Sequence, residues 1–335
     1  MFDSTTKFDT RNDEISHLAA RFSSNKIVVY RSYRNSKISL HQEEQAKVNF
    51  EKKEYNGYLS RATKSYITKI LDNWFLTVRH FNMHMALPSK QRQKQMVFFT
   101  LTLPSKQAHT DNEIKRQVLN KFIIICQRKG LFDQWFWRAE KQKNGNIHFH
   151  FLIDSYFDKK QLQTVWNSCL EPLGYINEFE KRYNHRNPPT TQIQVVPSGQ
   201  NIIDYVIKYV GKNEGTGKVL GRIWGMSDKL RNLKSYVEDI SNTDEKLIND
   251  YIEPDNKNVY QDENCMVVMV QFEKRFDYYK RLEKAGLRRV MSANCNYLYF
   301  DNVLPVDVLF PKEIKRISIT NNVKESQKIQ QFELF

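Results

Sequence analysis

Cysteine is scarce in this 335-residue chain, and its four copies, Cys126, Cys169, Cys265 and Cys295, form no Cys-x-x-Cys pair. That spacing excludes a zinc knuckle or a disulfide framework and predicts reduced, buried thiols. No stretch approaches the ~20 apolar residues needed to span a bilayer. The opening Met1-Phe-Asp-Ser-Thr-Thr-Lys7 lacks the apolar core of a secretion signal. These absences predict a soluble protein with no membrane partner. Gly211-Lys-Asn-Glu-Gly-Thr-Gly217 is rich in glycine, yet it lacks the Gly-Lys-Ser/Thr ending of a phosphate-binding loop.

Positive charge, by contrast, is plentiful. Lysine and arginine total 52 against 38 acidic residues, a net charge of +14 with a pI near 9.4. Such a surplus suits a polyanionic partner, because phosphate contacts provide most sequence-independent affinity for nucleic acid. Aromatic residues make up 13%, enough to stack on bases as well as to fill a core.

Apolar spacing places the main elements. Ser60 to Thr77 has helical periodicity with Ile67, Ile70, Leu71 and Trp74 as its buried stripe. Phe98 to Leu103 reads as a strand. Asp111 is expected to cap a helix that Gly130 stops, burying Val118, Leu119, Phe122, Ile123 and Cys126. Asp158 to Leu170 reads as a second helix and Gln192 to Val196 as another strand. The order β–α–β–β–α–β–α fits an α+β fold, an antiparallel sheet with helices on one face.

Two blocks carry chemistry. In Ile147-His-Phe-His-Phe-Leu-Ile-Asp154 the β-branched and aromatic content favours a strand. Alternate side chains share a face, so His148 and His150 point the same way, roughly 6 to 7 Å apart, while Phe149, Phe151 and Ile153 face a core. Two imidazoles so placed can donate to one cation. Asn144-Gly145-Asn146 signals a tight turn, which makes Gln134 to Glu140 the partner strand and returns Glu140 to the histidines. Alone, such a face is more often ordinary polar packing, with histidines bonded to neighbours and no metal.

The second block is Tyr205-Val-Ile-Lys208-Tyr209-Val-Gly-Lys212. Apolar residues at 202, 203, 206, 207 and 210 predict a helix over 201–212. Tyr205 and Tyr209 then lie one turn apart on one face, as do Lys208 and Lys212. A tyrosine can form a covalent aryl phosphodiester that saves the energy of a cut strand for rejoining. A nearby lysine can stabilise charge on the phosphate. Two tyrosines on one face suit two successive strand transfers.

These blocks resemble the motifs of the HUH endonuclease superfamily, and specifically of the two-tyrosine rolling-circle replication initiators of small single-stranded-DNA phages and plasmids. Phe98-Phe-Thr-Leu-Thr-Leu103, His148-Phe-His150 and the Tyr205–Lys212 block stand in the family order. Gly221-Arg222-Ile-Trp224-Gly225 is similar to a segment of microvirus-type initiators. The likeness covers roughly residues 60 to 230. It implies a ferredoxin-like sheet with the histidines on the central strand, and Mg²⁺ or Mn²⁺ held by His148, His150 and Glu140. It further implies Tyr205 and Tyr209 as nucleophiles assisted by Lys208 and Lys212, and a single-stranded or hairpin DNA origin as substrate. The bacterial host cytoplasm is the expected location. With no nucleotide-hydrolysis motif, unwinding and extension fall to a host helicase and polymerase. A two-tyrosine transposase or relaxase uses the same chemistry, and a non-catalytic nucleic-acid-binding protein would keep these residues as structure.

The chain divides on this reading into a polar extension at 1–54, the endonuclease domain at 55–231 and an accessory region at 232–335. A strand is expected near Ile27 to Tyr30, and others at Met266 to Phe272, Tyr297 to Phe300 and Val306 to Phe310. Lys274 to Lys284 reads as a charged helix, and the acidic run Glu238 to Glu263 as a linker or exposed helix. His80 and His84, four apart on a helix extension, are expected on a solvated face.

Overall fold

A computed structural model describes residues 16–33, 58–84, 93–195, 217–240, 245–262 and 265–300. The fold is α+β, built on two antiparallel five-stranded sheets. The catalytic block expected at 201–212 and the strand expected at Val306 to Phe310 lie outside the described residues.

The first sheet contains β3 (Val97–Leu101), β4 (Trp135–Lys141), β5 (Ile147–Ile153), β6 (Thr191–Val195) and β7 (Trp224–Met226), in the order β6-β3-β5-β4-β7. The histidine strand β5 is therefore central, with β3 and β4 on either side. One face packs on two helices. Helix α2 comprises Asp111–Glu113, a π-helical stretch Ile114–Leu119, and Asn120–Arg128, while α3 is Lys159–Leu170. Phe149 and Phe151 are fully buried. The Phe122 ring meets Phe151 edge-on at 5.8 Å, and Trp166 lies 6.0 Å from Phe149. Helix α4 (Tyr175–Tyr183) follows α3.

Thr110 caps α2, in place of the expected Asp111. Its hydroxyl accepts from the Glu113 amide at 3.3 Å, and the Glu113 carboxylate accepts from the Thr110 amide at 2.8 Å. This reciprocal capping box satisfies two donors at the helix start. Asp111 is released to bind Lys141 at 2.6 Å and the Leu220 amide at 2.9 Å.

The second sheet joins residues from opposite ends of the chain. Its strands are β1 (Ser16–Phe22), β2 (Lys26–Tyr33), β8 (Tyr236–Asp239), β9 (Val259–Gln261) and β10 (Cys265–Met269), in the order β8-β1-β2-β10-β9. The run Glu238 to Glu263 thus contributes to two strands, β8 and β9, besides one short helical segment, Glu245–Asn249. Tyr297 to Phe300 is no strand either: α6 spans Arg288–Tyr299, after α5 at Arg275–Leu282. Its buried Met291, Cys295 and Leu298 recur at helical spacing, and that tertiary contact overrides the β-propensity of the aromatic pair.

Helix α1 (Arg61–His84) contributes to both cores. Ile67, Ile70, Leu71, Trp74 and Val78 join the core of the first sheet, and Leu76 joins that of the second. The carboxylate of the buried Asp72 accepts from the Ser24 amide at 3.0 Å, which fastens α1 to the β1–β2 turn. No helix among the described residues is long and apolar enough to cross a membrane.

Candidate metal centre

The hairpin β4–β5 builds the site. Its turn is closed by the Gly145 amide donating to the Gln142 carbonyl at 2.9 Å, with Gly145 in the left-handed region at φ 83°. The Asn146 side chain then accepts from the Gln107 amide at 2.9 Å and donates to the Ser105 carbonyl at 2.8 Å. Gln107 accepts in turn from the Ile147 amide at 2.7 Å. The first residue of β5 is therefore held from outside the hairpin, one position before His148.

Register does the rest. Glu140 stands opposite His148, and Arg138 opposite His150. Cross-strand partners share a face, so Glu140, His148 and His150 converge as the alternation predicts. The Glu140 carboxylate reaches His150 Nε2 at 2.7 Å, and the two imidazole centroids lie 4.5 Å apart, nearly perpendicular. That is closer than strand geometry alone gives, because the rings turn toward each other. One donor atom from each of the three residues lies within 4.8 Å of the other two.

Both histidines are buried, His148 at 9% exposure and His150 at 6%. Phe98 of the neighbouring strand stacks on the His150 ring at 5.6 Å. Burial, reinforced by His150 and opposed by Glu140, pushes the His148 imidazole down to about 4. It is therefore neutral across physiological pH, the form that ligates a metal. Its Nδ1 is buried with no hydrogen-bond partner among the described residues. A buried polar atom without a partner is costly, and a cation held with His150 and Glu140 would satisfy it. Two nitrogens and one carboxylate oxygen, one side being partly open at Glu140, fit a divalent ion.

The same face holds residues that the sequence motifs did not point to. Through successive register pairs Thr100, His150, Arg138 and Trp224 form one row across β3, β5, β4 and β7. Arg138 is buried and donates to the Ile223 carbonyl at 3.2 Å. Strand alternation from Glu140 would have found it. Trp224 is half-buried, met edge-on by Tyr66 at 6.4 Å, with the Arg231 guanidinium 5.9 Å above its ring. Its position depends on the pairing of a short edge strand, for which the sequence has no signal.

Tyr205, Lys208, Tyr209 and Lys212 lie outside the described residues. The structure therefore assembles the expected metal ligands and places none of the expected nucleophile block.

No curated protein matches the chain, and no solved structure does. Residues 96–214 match a family model of replication-associated proteins, of the type described as ORF2. That range takes in Glu140, His148, His150 and, in sequence, the Tyr205–Lys212 block. Over it the chain is similar to replication-associated proteins, and the match supports a role in replication initiation.

Proposed function

We propose that the protein nicks and rejoins single-stranded DNA at a replication origin, starting and ending rolling-circle replication of a phage or plasmid. The observation that carries this is the convergence of Glu140 on β4 with His148 and His150 on the central strand β5, inside the range that matches replication-associated proteins. A Mg²⁺ or Mn²⁺ ion held by these residues would neutralise charge on the scissile phosphate and orient it for in-line displacement.

The phenolic oxygen of Tyr205 or Tyr209 attacks phosphorus, forming an aryl phosphodiester as the bond to the 3′ oxygen breaks. The phenol proton passes to that departing oxygen, leaving a 5′-phosphotyrosine and a free 3′-hydroxyl. A host polymerase extends the hydroxyl behind a host helicase. The second tyrosine then attacks the regenerated origin, and the released 3′-hydroxyl attacks the first phosphotyrosine, closing the old strand as the bond to that tyrosine breaks and its phenol regains the proton. Lys208 and Lys212 offset phosphate charge. Transesterification conserves the energy of the cut bond, so cutting and joining need no nucleotide hydrolysis. The half-buried Trp224, in the row with His150, offers a stacking surface to the bound strand.

The test uses labelled single-stranded oligonucleotides tiling the replicon, with Mn²⁺ or EDTA, resolved on denaturing gels. The expected result is a metal-dependent covalent adduct that survives in Tyr205→Phe and Tyr209→Phe singly and vanishes in the double variant. Tight binding across the tiles without any adduct would overturn the nicking mechanism in favour of a binding protein.

A further inference from the structure

A second cluster with metal-ligand geometry lies away from β5. His80 and His84 stand one turn apart near the end of α1, with ring centroids 4.6 Å apart. Glu283, just after α5, brings a carboxylate oxygen to 3.2 Å from His84 Nε2. One donor atom from each residue lies within 4.8 Å of the other two. This is the same composition, two imidazoles and one glutamate, as the cluster on β5.

The expected solvated face is not what these histidines occupy. His80 is only 3% exposed, because α6 covers it, and Ser292 Oγ lies 2.9 Å from its Nε2. The Ser292 hydroxyl already donates to the Arg288 carbonyl at 2.8 Å. It therefore accepts from the imidazole, and the ring's lone pair falls on Nδ1. Metal-bound histidines are commonly oriented by such a bond through their other nitrogen.

We propose that His80, His84 and Glu283 bind a transition-metal ion of the zinc class, clipping the end of α1 to the α5–α6 bend. Two nitrogen donors of borderline softness and one carboxylate are a donor set that such an ion accepts. The clip would hold α5 and α6 against α1, a helix that enters both cores.

The test strips the full-length protein of metal and titrates it with Zn²⁺ against a chromogenic chelator. His84→Ala and Glu283→Gln, both at half-buried positions, are each expected to bind one equivalent fewer than wild type. Each should also lose part of the Zn²⁺-induced rise in Tm. Because the comparison is a difference from wild type, it holds whether or not the β5 cluster takes Zn²⁺. Equal stoichiometry in wild type and both folded variants overturns the proposal.

Discussion

Gly225→Ala is expected to destabilise the protein by about 2 kcal/mol, within the range of roughly 1–3 kcal/mol for overpacking a well-packed site. A Cβ at this position would meet Trp137 Nε1 at 2.7 Å, Cε2 at 2.8 Å and Cζ2 at 3.0 Å. Carbon atoms prefer separations of about 3.5–4.0 Å, so the indole or β7 must retreat by roughly 0.5–1 Å. Neither can do so cheaply. Trp137 is 5% exposed and stands edge-on to Phe149 at 6.0 Å. Strand β7 is tied to β4 through the Ser227 amide to the Trp135 carbonyl at 2.9 Å, and through the Ala139 amide to the Ile223 carbonyl at 2.8 Å. Urea unfolding followed by far-ultraviolet circular dichroism measures the cost. Gly145→Ala is the control: its φ is 83° but nothing lies within 4 Å of the added methyl. It should show only the left-handed backbone penalty of about 1 kcal/mol. Trp137→Phe removes the clashing ring, so the double variant should be at least ~1 kcal/mol more stable than the sum of the singles. A Gly225→Ala cost no larger than that of Gly145→Ala, or a strictly additive cycle, would refute the close-approach argument.

Other expectations follow from particular contacts. Thr110→Ala removes the capping box of α2 and should cost about 1 kcal/mol in thermal unfolding, while Thr110→Ser should be nearly neutral. Burial raises the fully buried Asp154 carboxyl to about 6, so the folded state holds its proton more tightly than the unfolded chain. Its contribution is therefore complete below the unfolded value of 3.8 and is lost as pH rises through about 6. Asp154→Asn should accordingly gain about 2 kcal/mol relative to wild type between pH 4 and pH 7, measured by urea unfolding at both. Trp224→Ala should weaken binding of a single-stranded oligonucleotide about tenfold, within the roughly 1–3 kcal/mol of a base–aromatic stack. Its Mn²⁺ affinity should not change, because Trp224 stands two strands from His150; fluorescence anisotropy and metal titration separate the two.

The legible parts of the fold are those set by local period. Ile67, Ile70, Leu71 and Trp74 recur at helical spacing and are buried on α1, and Phe149, Phe151 and Ile153 alternate into the core of β5. The turn at 144–146 is readable for a related reason, since glycine adopts its left-handed conformation at little cost. With that turn, the return of Glu140 to the histidines follows from counting residues along a hairpin. The π-helical stretch of α2 has no counterpart in the apolar spacing, and neither does the change from helix to bend to helix around Gly286, which has a φ of 147°. The Gly221–Gly225 segment is visible in sequence without a role. Its structural sense is close approach: a Cβ at Gly221 would meet the Asn112 side chain, and one at Gly225 would meet Trp137.

By itself the sequence determined the α+β class, the histidine strand and its hairpin, and the three side chains that meet there, because each depends on neighbours within a few residues. Tertiary structure alone decided the second sheet, where Arg21 pairs with Val237 and Val28 with Val267. It likewise decided the cluster of His84 with Glu283, 199 residues apart. Pairings over such separations depend on which strand edges and helix faces remain uncovered once the local elements have formed. Nothing in the spacing of apolar residues records that choice.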